Sequence, residues 1–443
     1  MINPSNMLFR VYQRTIHSLA FYPTLIALAF FFACLLNISI EYQPWLMAIK
    51  SKIDIGLVRN ADNARLILGT LVGSLVSLMV FSFSMVMVVL NNAATVLSPR
   101  VMPGLVSSKS HQKTLGFYLG TIIYALLLIT TIEQNGGDKV PSLGVLVTLG
   151  LGIACLGLFV HFIRSISQSI QVEHILTNLY QVTRGKLDAR ISKMAAQSPA
   201  ASWPDDQKWQ QVRSERSGYF KEINASLTNE LLCEHNLKMT IQVHRGFFVI
   251  EGHPLFKLDR KIDDSVINKL LDCFDFFIEE YPSTHYLFGC KQISEIAVKA
   301  LSPGINDPGT AIKSIDMLSV LFSQRLNLPT FDFSELEDEP PRLFINELPL
   351  DQLLQQVLGP IRTYGAADPS VLVSLLQAFK NLLHQNPKPE HKVQLLRHAR
   401  SVIESADEHL TTPRDREEIN DFIERINSAA KESLPALSRI KTK

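Results

Sequence analysis

The sequence predicts an α-helical integral membrane protein: four transmembrane helices followed by a mixed α+β, mainly helical soluble region with a small β-rich unit. The chain has 443 residues, is 47% hydrophobic and has a mean hydropathy of +0.13, too apolar for an ordinary soluble protein of this size. The apolar excess lies before Arg164, where ten Lys/Arg and five Asp/Glu occur, leaving 33 basic and 37 acidic residues for the remainder. Neither part has the concentrated basic face of a nucleic-acid platform, so no nucleic-acid partner is expected.

Four runs, 19–40, 66–90, 115–132 and 143–163, are long and apolar enough to cross a bilayer, which takes about 17 to 25 residues. They define a membrane domain over 19–163 behind an N-terminal segment, 1–18. The first run follows Arg10 and Arg14, as a secretory signal would, but it exceeds a signal core and lacks an A-x-A site. Phe31 and Phe32 fit a lipobox ending at Cys34 poorly. The run is expected to remain as an anchor. Arg10, Arg14, Arg100, Lys109, Lys113 and Arg164 flank one side without acidic residues. Lys50, Lys52, Arg59 and Arg65 on the other are diluted by Glu41, Asp54 and Asp62 before Lys139. Basic residues accumulate on the cytoplasmic side, so both termini are expected there.

Past the membrane the periodicity changes. Ile166, Ile170, Val172, Ile175, Leu176, Leu179 and Val182 recur at helical spacing, which predicts that the fourth span continues as an amphipathic connecting helix over 164–192. The Ser/Ala/Pro-rich stretch that follows reads as a linker, 193–212. Alternating runs in SGYFKEI and KMTIQVHRGFFVIEGHPLFKL, broken by Gly246 and Gly252, predict the β-rich unit over 213–262. Their glycine spacing resembles half of a biotinyl/lipoyl-type sandwich. The surroundings of Lys261, LDRKIDD, do not match a cofactor-bearing hairpin, so the unit is expected to serve packing or assembly. From Asp263 onward the pattern is helical to the end of a cytoplasmic region over 263–443, except for an acidic, proline-containing loop, SELEDEPPR.

Chemistry-bearing motifs are scarce. Twelve histidines include no HExxH, and neither G-x-S-x-G nor GxxxxGK[ST] occurs. The five cysteines (Cys34, Cys155, Cys233, Cys273, Cys290) have no metal-ligand spacing and read as packing residues. His161, near the end of the fourth span, reads as interfacial. No catalytic residue, cofactor or metal is expected, and the protein is not expected to be an enzyme.

The second span raises a sharper question. Thr70, Ser77, Ser84, Asn91 and Ser98 recur every seven residues. At 100° per residue, Thr70, Ser74, Ser77, Ser84, Asn91, Asn92 and Thr95 share about 100° of arc with Gly73, whereas Ser82 points elsewhere. From Thr70 to Asn91 the stripe rises about 32 Å, close to the hydrocarbon thickness. Gly69, Gly73 and Ser77 form a small-xxx-small series suited to close helix packing. Around a shared axis the same stripe would line a wetted pathway, with Phe81 and Val88 as apolar constrictions that close by dewetting. A polar cavity within one subunit is a third reading.

The second motif is SPGINDP, residues 302–308. Pro303 disfavours helical geometry at Ser302, and Gly304 is placed to turn left-handed after a helix ending near Leu301. Asn306 leads into Asp307, which can cap the next helix with Pro308 at its first position. The alternative is an anion or partner carboxylate held at the amides near Gly309 and Thr310, a site Asp307 would fill with its own charge.

ALSPGINDPGTAIKSIDML, FSFSMVMVVLNNAATVLSPR, RSGYFKEI and GFFVIEGHPL, in the expected order over nearly the whole chain, resemble the bacterial family of predicted integral membrane proteins catalogued as domain of unknown function twenty-two fifty-four. The resemblance implies a multi-pass protein of the bacterial inner membrane with four spans and a soluble region, and no established activity. Residues 195–213 have no counterpart in it. The functional expectation is a homo-oligomeric channel or transport-like protein, with the bilayer, other copies of itself, and ions or small solutes as partners. The alternative is a non-conducting membrane-anchored scaffold or sensor.

Overall fold

The computed structural model describes residues 21–41, 43–44, 58, 60–96, 109–132, 140–169, 171–195, 202–277, 285–329, 331–336, 339–430 and 436–441. The N-terminal segment and most of the loop charges used for orientation, Arg10, Arg14, Lys50, Lys52, Asp54, Arg59, Arg100 and Lys139, lie outside them, as does Ser98. The chain divides into two compact units, one holding the four spans and one running from Val172 onward.

The membrane unit consists of α1 (Phe21–Glu41), α2 (Ala61–Val96), α3 (Lys109–Thr131) and α4 (Ser142–Ser169). Their stretches Phe21–Glu41, Ala61–Val89, Ser110–Thr131 and Ser142–Ile166 are each long and apolar enough to cross a membrane. α3 is the centre: half of its most apolar stretch is buried, against 11% for α1 and α2. Glycines let α1 approach it closely. A Cβ on Gly116 would lie 2.8 Å from the Pro23 Cα, and one on Gly120 would lie 2.7 Å from the Phe30 ring. Cys34 and Cys155 are fully buried packing residues, and the Cys34 thiol donates to the Tyr124 carbonyl. Two charged side chains satisfy helix ends that the bilayer would leave bare. Arg65 donates to the Ile132 carbonyl at 3.0 Å, and buried Glu41 accepts from the Leu143 amide at 3.1 Å, at the N-terminus of α4.

The second unit opens with α5 (Val172–Ala195), so the expected continuous connecting helix is two helices, α4 ending at Ser169 and α5 starting at Val172. The buried seam of α5 includes Ile175, Leu176, Leu179, Thr183 and Leu187. Strands β2 (Gly218–Ile223), β3 (Met239–Ile241), β4 (Phe248–Val249) and β5 (Pro254–Leu258) lie within 213–262, with α6 (Ala225–Glu234) between β2 and β3, whereas β1 (Gln210–Arg213) occupies the end of the stretch expected as a linker. The unit is larger than its predicted span. After α7 (Asp264–Asp272) come β6 (Phe274–Phe277) and, beyond α8 (Tyr286–Ala300) and α9 (Pro308–Arg325), β7 (Phe331–Leu336) and β8 (Glu339–Asn346). The five-stranded sheet has the order β1-β5-β3-β8-β7, parallel only between β3 and β8, and a second sheet has the order β4-β2-β6.

The acidic segment expected as a loop therefore lies largely in the β7–β8 pair. The alternation in FDFSEL and RLFIN suits a strand, and Leu343 and Ile345 join Phe220, Met239, Ile241, Phe256 and Leu270 in one core. The expected linker is also anchored over part of its length. Trp203 packs edge-on against Phe331 and Phe344, and Asp206 accepts from Thr240 and Gln242 at 2.8 Å. A Ser/Ala/Pro composition conceals such anchors. Gly246 has φ +80°, a conformation in which a side chain is strained, and it abuts the Leu287 side chain. Four helices, α10 (Leu350–Tyr364), α11 (Pro369–His384), α12 (Pro389–His409) and α13 (Pro413–Ala430), complete the fold.

Candidate functional site

The second span carries the first candidate. Leu68, Leu75, Ser82 and Val89 are the buried seam of α2, seven residues apart, with Ser82 fully buried beside Tyr118. Thr70, Ser77, Ser84 and Asn91 sit two residues further on in each repeat, about 160° away around the helix. The stripe thus points away from the other three spans. Thr70, Gly73, Ser74, Ser77, Ser84 and Asn91 are exposed, as are Phe81 (50%) and Val88 (62%). Asn92 lies in the helix, with its side chain outside the described residues. A Cβ on Gly69 or Gly73 would meet nothing within 4 Å, unlike one on Gly116 or Gly120. Three hydroxyls are satisfied inside the helix: Thr70 donates to the Leu66 carbonyl at 2.7 Å, Ser74 to Thr70 at 2.8 Å and Ser77 to Gly73 at 3.0 Å. Phe81 also touches α4, with its ring edge-on to Phe159 at 5.8 Å.

The corner between α8 and α9 is exposed, and its left-handed residue is Asn306 (φ +49°), not Gly304. Asparagine tolerates that region because its short amide bonds locally, and Gly304 is free of the task. Ser302 donates to the Lys299 carbonyl at 2.6 Å and its own carbonyl accepts from the Ile305 and Asn306 amides. Pro303 follows it, and the Asp307 amide returns to the Ala300 carbonyl at 2.9 Å. The Asp307 carboxylate caps α9, accepting from the Thr310 amide at 3.1 Å and its hydroxyl at 2.6 Å, with Pro308 in the first turn. Those bonds from Thr310 hold its pKa below the usual carboxylate range. The amides that would hold an anion are thus taken by Asp307.

The fold also assembles a buried charge network that the sequence conceals. Arg190 of α5 lies 2.8 Å from the Asp332 carboxylate in β7 and donates through Nε to Glu347, just after β8, at 2.9 Å. Arg245, between β3 and β4, donates through Nε to Glu222 of β2 at 3.0 Å and lies 3.5 Å from Asp332 and 3.6 Å from Glu347. Both arginines and both inner carboxylates are almost wholly buried, two positive charges facing two negative. Burial opposes ionisation of Glu347, but Arg190 and Arg245 prevail and hold its pKa at about 2. His285 borders the network. Burial pushes its pKa down to about 3; Glu347 opposes this, while Arg245 and Arg190 reinforce it. Its Nδ1 accepts from the Leu287 amide at the start of α8. The network's chemistry is to hold: it ties α5 to β2, β7 and the end of β8. Among the described residues no group of His, Cys, Asp and Glu is arranged to bind a metal ion.

A family model described as predicted membrane protein (DUF2254) matches residues 16–381. The uncharacterized protein Mb1321c of Mycobacterium bovis is 23% identical over 345 residues, covering 75% of this chain and 66% of its own length. Uncharacterized protein Rv1290c of Mycobacterium tuberculosis gives the same figures. Uncharacterized protein MT1328, from another strain of that species, is 22% identical over the same coverage. The chain thus spans slightly less than two thirds of the length of the curated relatives it matches. No solved structure matches it.

Proposed function

The chain belongs to the DUF2254 family of predicted membrane proteins, and from that premise we propose that it works as a homo-oligomeric, channel-like protein in which α2 turns its polar stripe toward a shared axis. The observation that supports this reading is the opposition of the two seams of α2. Leu68, Leu75, Ser82 and Val89 are spent on the subunit's own spans, which leaves Thr70, Gly73, Ser77, Ser84 and Asn91 for whatever lies outside it. A helix that exposes polar groups over the hydrocarbon depth needs a polar or closely packed neighbour, and further copies of α2 supply one. Phe81 and Val88 would then narrow the axis, and ions or small solutes are the proposed cargo. The membrane is proposed to be the bacterial inner membrane, with both termini in the cytoplasm, and the work is passage rather than catalysis.

A second reading has its own support. Because Thr70, Ser74 and Ser77 bond back to their own helix, the upper stripe is compatible with dry helix packing and a non-conducting scaffold or sensor. Native mass spectrometry of the chain in mild detergent tests what the two share. Discrete oligomers that Ser77→Leu shifts to monomers are expected; a strict monomer at all protein concentrations would remove the shared axis.

A further inference from the structure

The C-terminal segment is held along α13 in the manner of a bound peptide. Asn427 Nδ2 donates to the Leu437 carbonyl at 3.0 Å while its Oδ1 accepts from the Leu437 amide at 2.8 Å. One turn pair earlier, Asn420 repeats the arrangement on Ile440, at 3.0 and 2.9 Å. Glu424 pairs with Arg439, and Arg416, whose guanidinium also takes the Asp407 and Leu410 carbonyls at the end of α12, donates through Nε to the Lys441 carbonyl. The spacings agree. Seven residues of helix rise about 10.5 Å and keep one face, and three residues of extended chain span about 9 to 10 Å, so both asparagines meet equivalent backbone amides. Leu437 and Ile440 are buried beneath the clamp, whereas the Arg439 side chain is largely exposed.

Paired amide bonds read peptide backbone, not side chains, so this face accepts any extended segment whose apolar anchors and charge fit. We propose that the α13 face bearing Arg416, Asn420, Glu424 and Asn427 is a docking groove for an extended segment of a partner protein, with two apolar residues three apart and a basic residue just before the second. Residues 436–441 are its resident occupant in cis. A tether this short holds the resident segment at an effective concentration of the order of millimolar. The identical segment of a second copy has no advantage with which to displace it, whereas a partner with better-fitting anchors does. The groove lies beyond residue 381, where the match to the family model ends, and is independent of the reading of α2.

The test uses a labelled peptide, ALSRIKTK, matching residues 436–443, added to two forms of the chain in detergent. One ends at residue 435; the other is full length with Leu437→Asp and Ile440→Asp, which empties the groove without shortening the chain. Fluorescence anisotropy should show binding to both, at least about tenfold weaker binding to the intact wild type, and loss of roughly tenfold or more when Asn420→Ala and Asn427→Ala are added. Folding is checked by circular dichroism and tryptophan emission. Absent binding by folded protein, or binding indifferent to the two asparagines, would overturn the proposal. So would unfolding of both forms, since the segment would then be an integral strap. Oligomers that fall apart when the segment is removed would assign the groove to exchange between copies and overturn the partner-protein occupant.

Discussion

Arg190 and Asp332 meet at 2.8 Å in the interior of the second unit, joining a helix adjoining the membrane spans in sequence to a strand far along the chain. Removing one partner of a buried pair leaves the other charge uncompensated, a larger effect than the net worth of the pair itself. Arg190→Met is expected to destabilise the second unit by about 3 to 5 kcal/mol. Emission of Trp203, which packs on Phe331 beside Asp332, reports it in a denaturant titration. A midpoint equal to wild type would show that Arg245 alone neutralises both inner carboxylates.

The same network makes stability acid-sensitive in a defined sense. His285 has a folded pKa near 3, below its ordinary 6.5, so the unfolded chain takes up the proton first and stability declines as pH falls from 6.5 toward 3. Glu347, held near 2 against an ordinary 4.5, contributes stability present above pH 4.5 and lost as pH falls toward 2. Denaturation midpoints should be level between about pH 7 and 8, decline below 6.5 and fall more steeply below 4.5. His285→Asn, which keeps an acceptor at the start of α8, should flatten the decline between 6.5 and 4.5 by up to about 1.4 kcal/mol per pH unit; an unchanged slope would assign it to other histidines, among them half-buried His244, whose pKa burial also lowers.

Asp307 tests the corner. Asp307→Ala removes the acceptor of the Thr310 amide and should lower local stability by about 0.5 to 2 kcal/mol, seen as faster amide exchange in the first turn of α9. Any transport by the folded protein should be unchanged. Lost transport with normal exchange would instead mark the corner as a ligand site.

The spans were legible because a membrane run needs only composition and length, and the runs 19–40 and 115–132 carry both within one window. The β7 and β8 strands were not, because the acidic and proline residues of SELEDEPPR mask the alternation on either side. The charge network was invisible for a different reason. Arg190, Arg245, Asp332 and Glu347 stand far apart in the chain, each in an ordinary polar context, and only the pairing of β3 with β8 and the packing of α5 against α8 bring them together. At the corner the glycine drew attention that belonged to Asn306: propensity ranks Gly first for positive φ, but the hydrogen-bonded turn from Ser302 places the need two residues later.

Glycines of the membrane unit divide into two kinds. A Cβ at Gly116 would collide with the Pro23 backbone, which cannot rotate aside, so Gly116→Ala should loosen α1 from α3 at a cost of about 1 to 3 kcal/mol. Gly73→Ala has open space and should leave the monomer unaffected. Thermal unfolding in detergent separates the two, and size measurement on Gly73→Leu asks whether that space belongs to another copy. A Gly116→Ala protein as stable as wild type would contradict the close approach of the two helices.

Phe81 is where the conducting and non-conducting readings of α2 part. It lies on the stripe face and is half exposed, with its ring edge against Phe159, so replacing it changes the outward surface and removes one contact within the subunit. A dewetting constriction depends on apolar side chains, and Phe81→Ser should make a closed axis easier to hydrate, raising basal ion leak in liposomes. Ser77→Leu should act oppositely, because a bulky side chain narrows the stripe and obstructs close approach through Gly73. Ser77→Leu weakens assembly under either reading; if α2 only packs, Phe81→Ser lowers stability through the lost Phe159 contact and leaves the membrane tight. Oligomer size recorded beside flux separates these outcomes. An assembled Phe81→Ser protein as tight as wild type to common cations and anions would end the channel reading and leave the scaffold in its place.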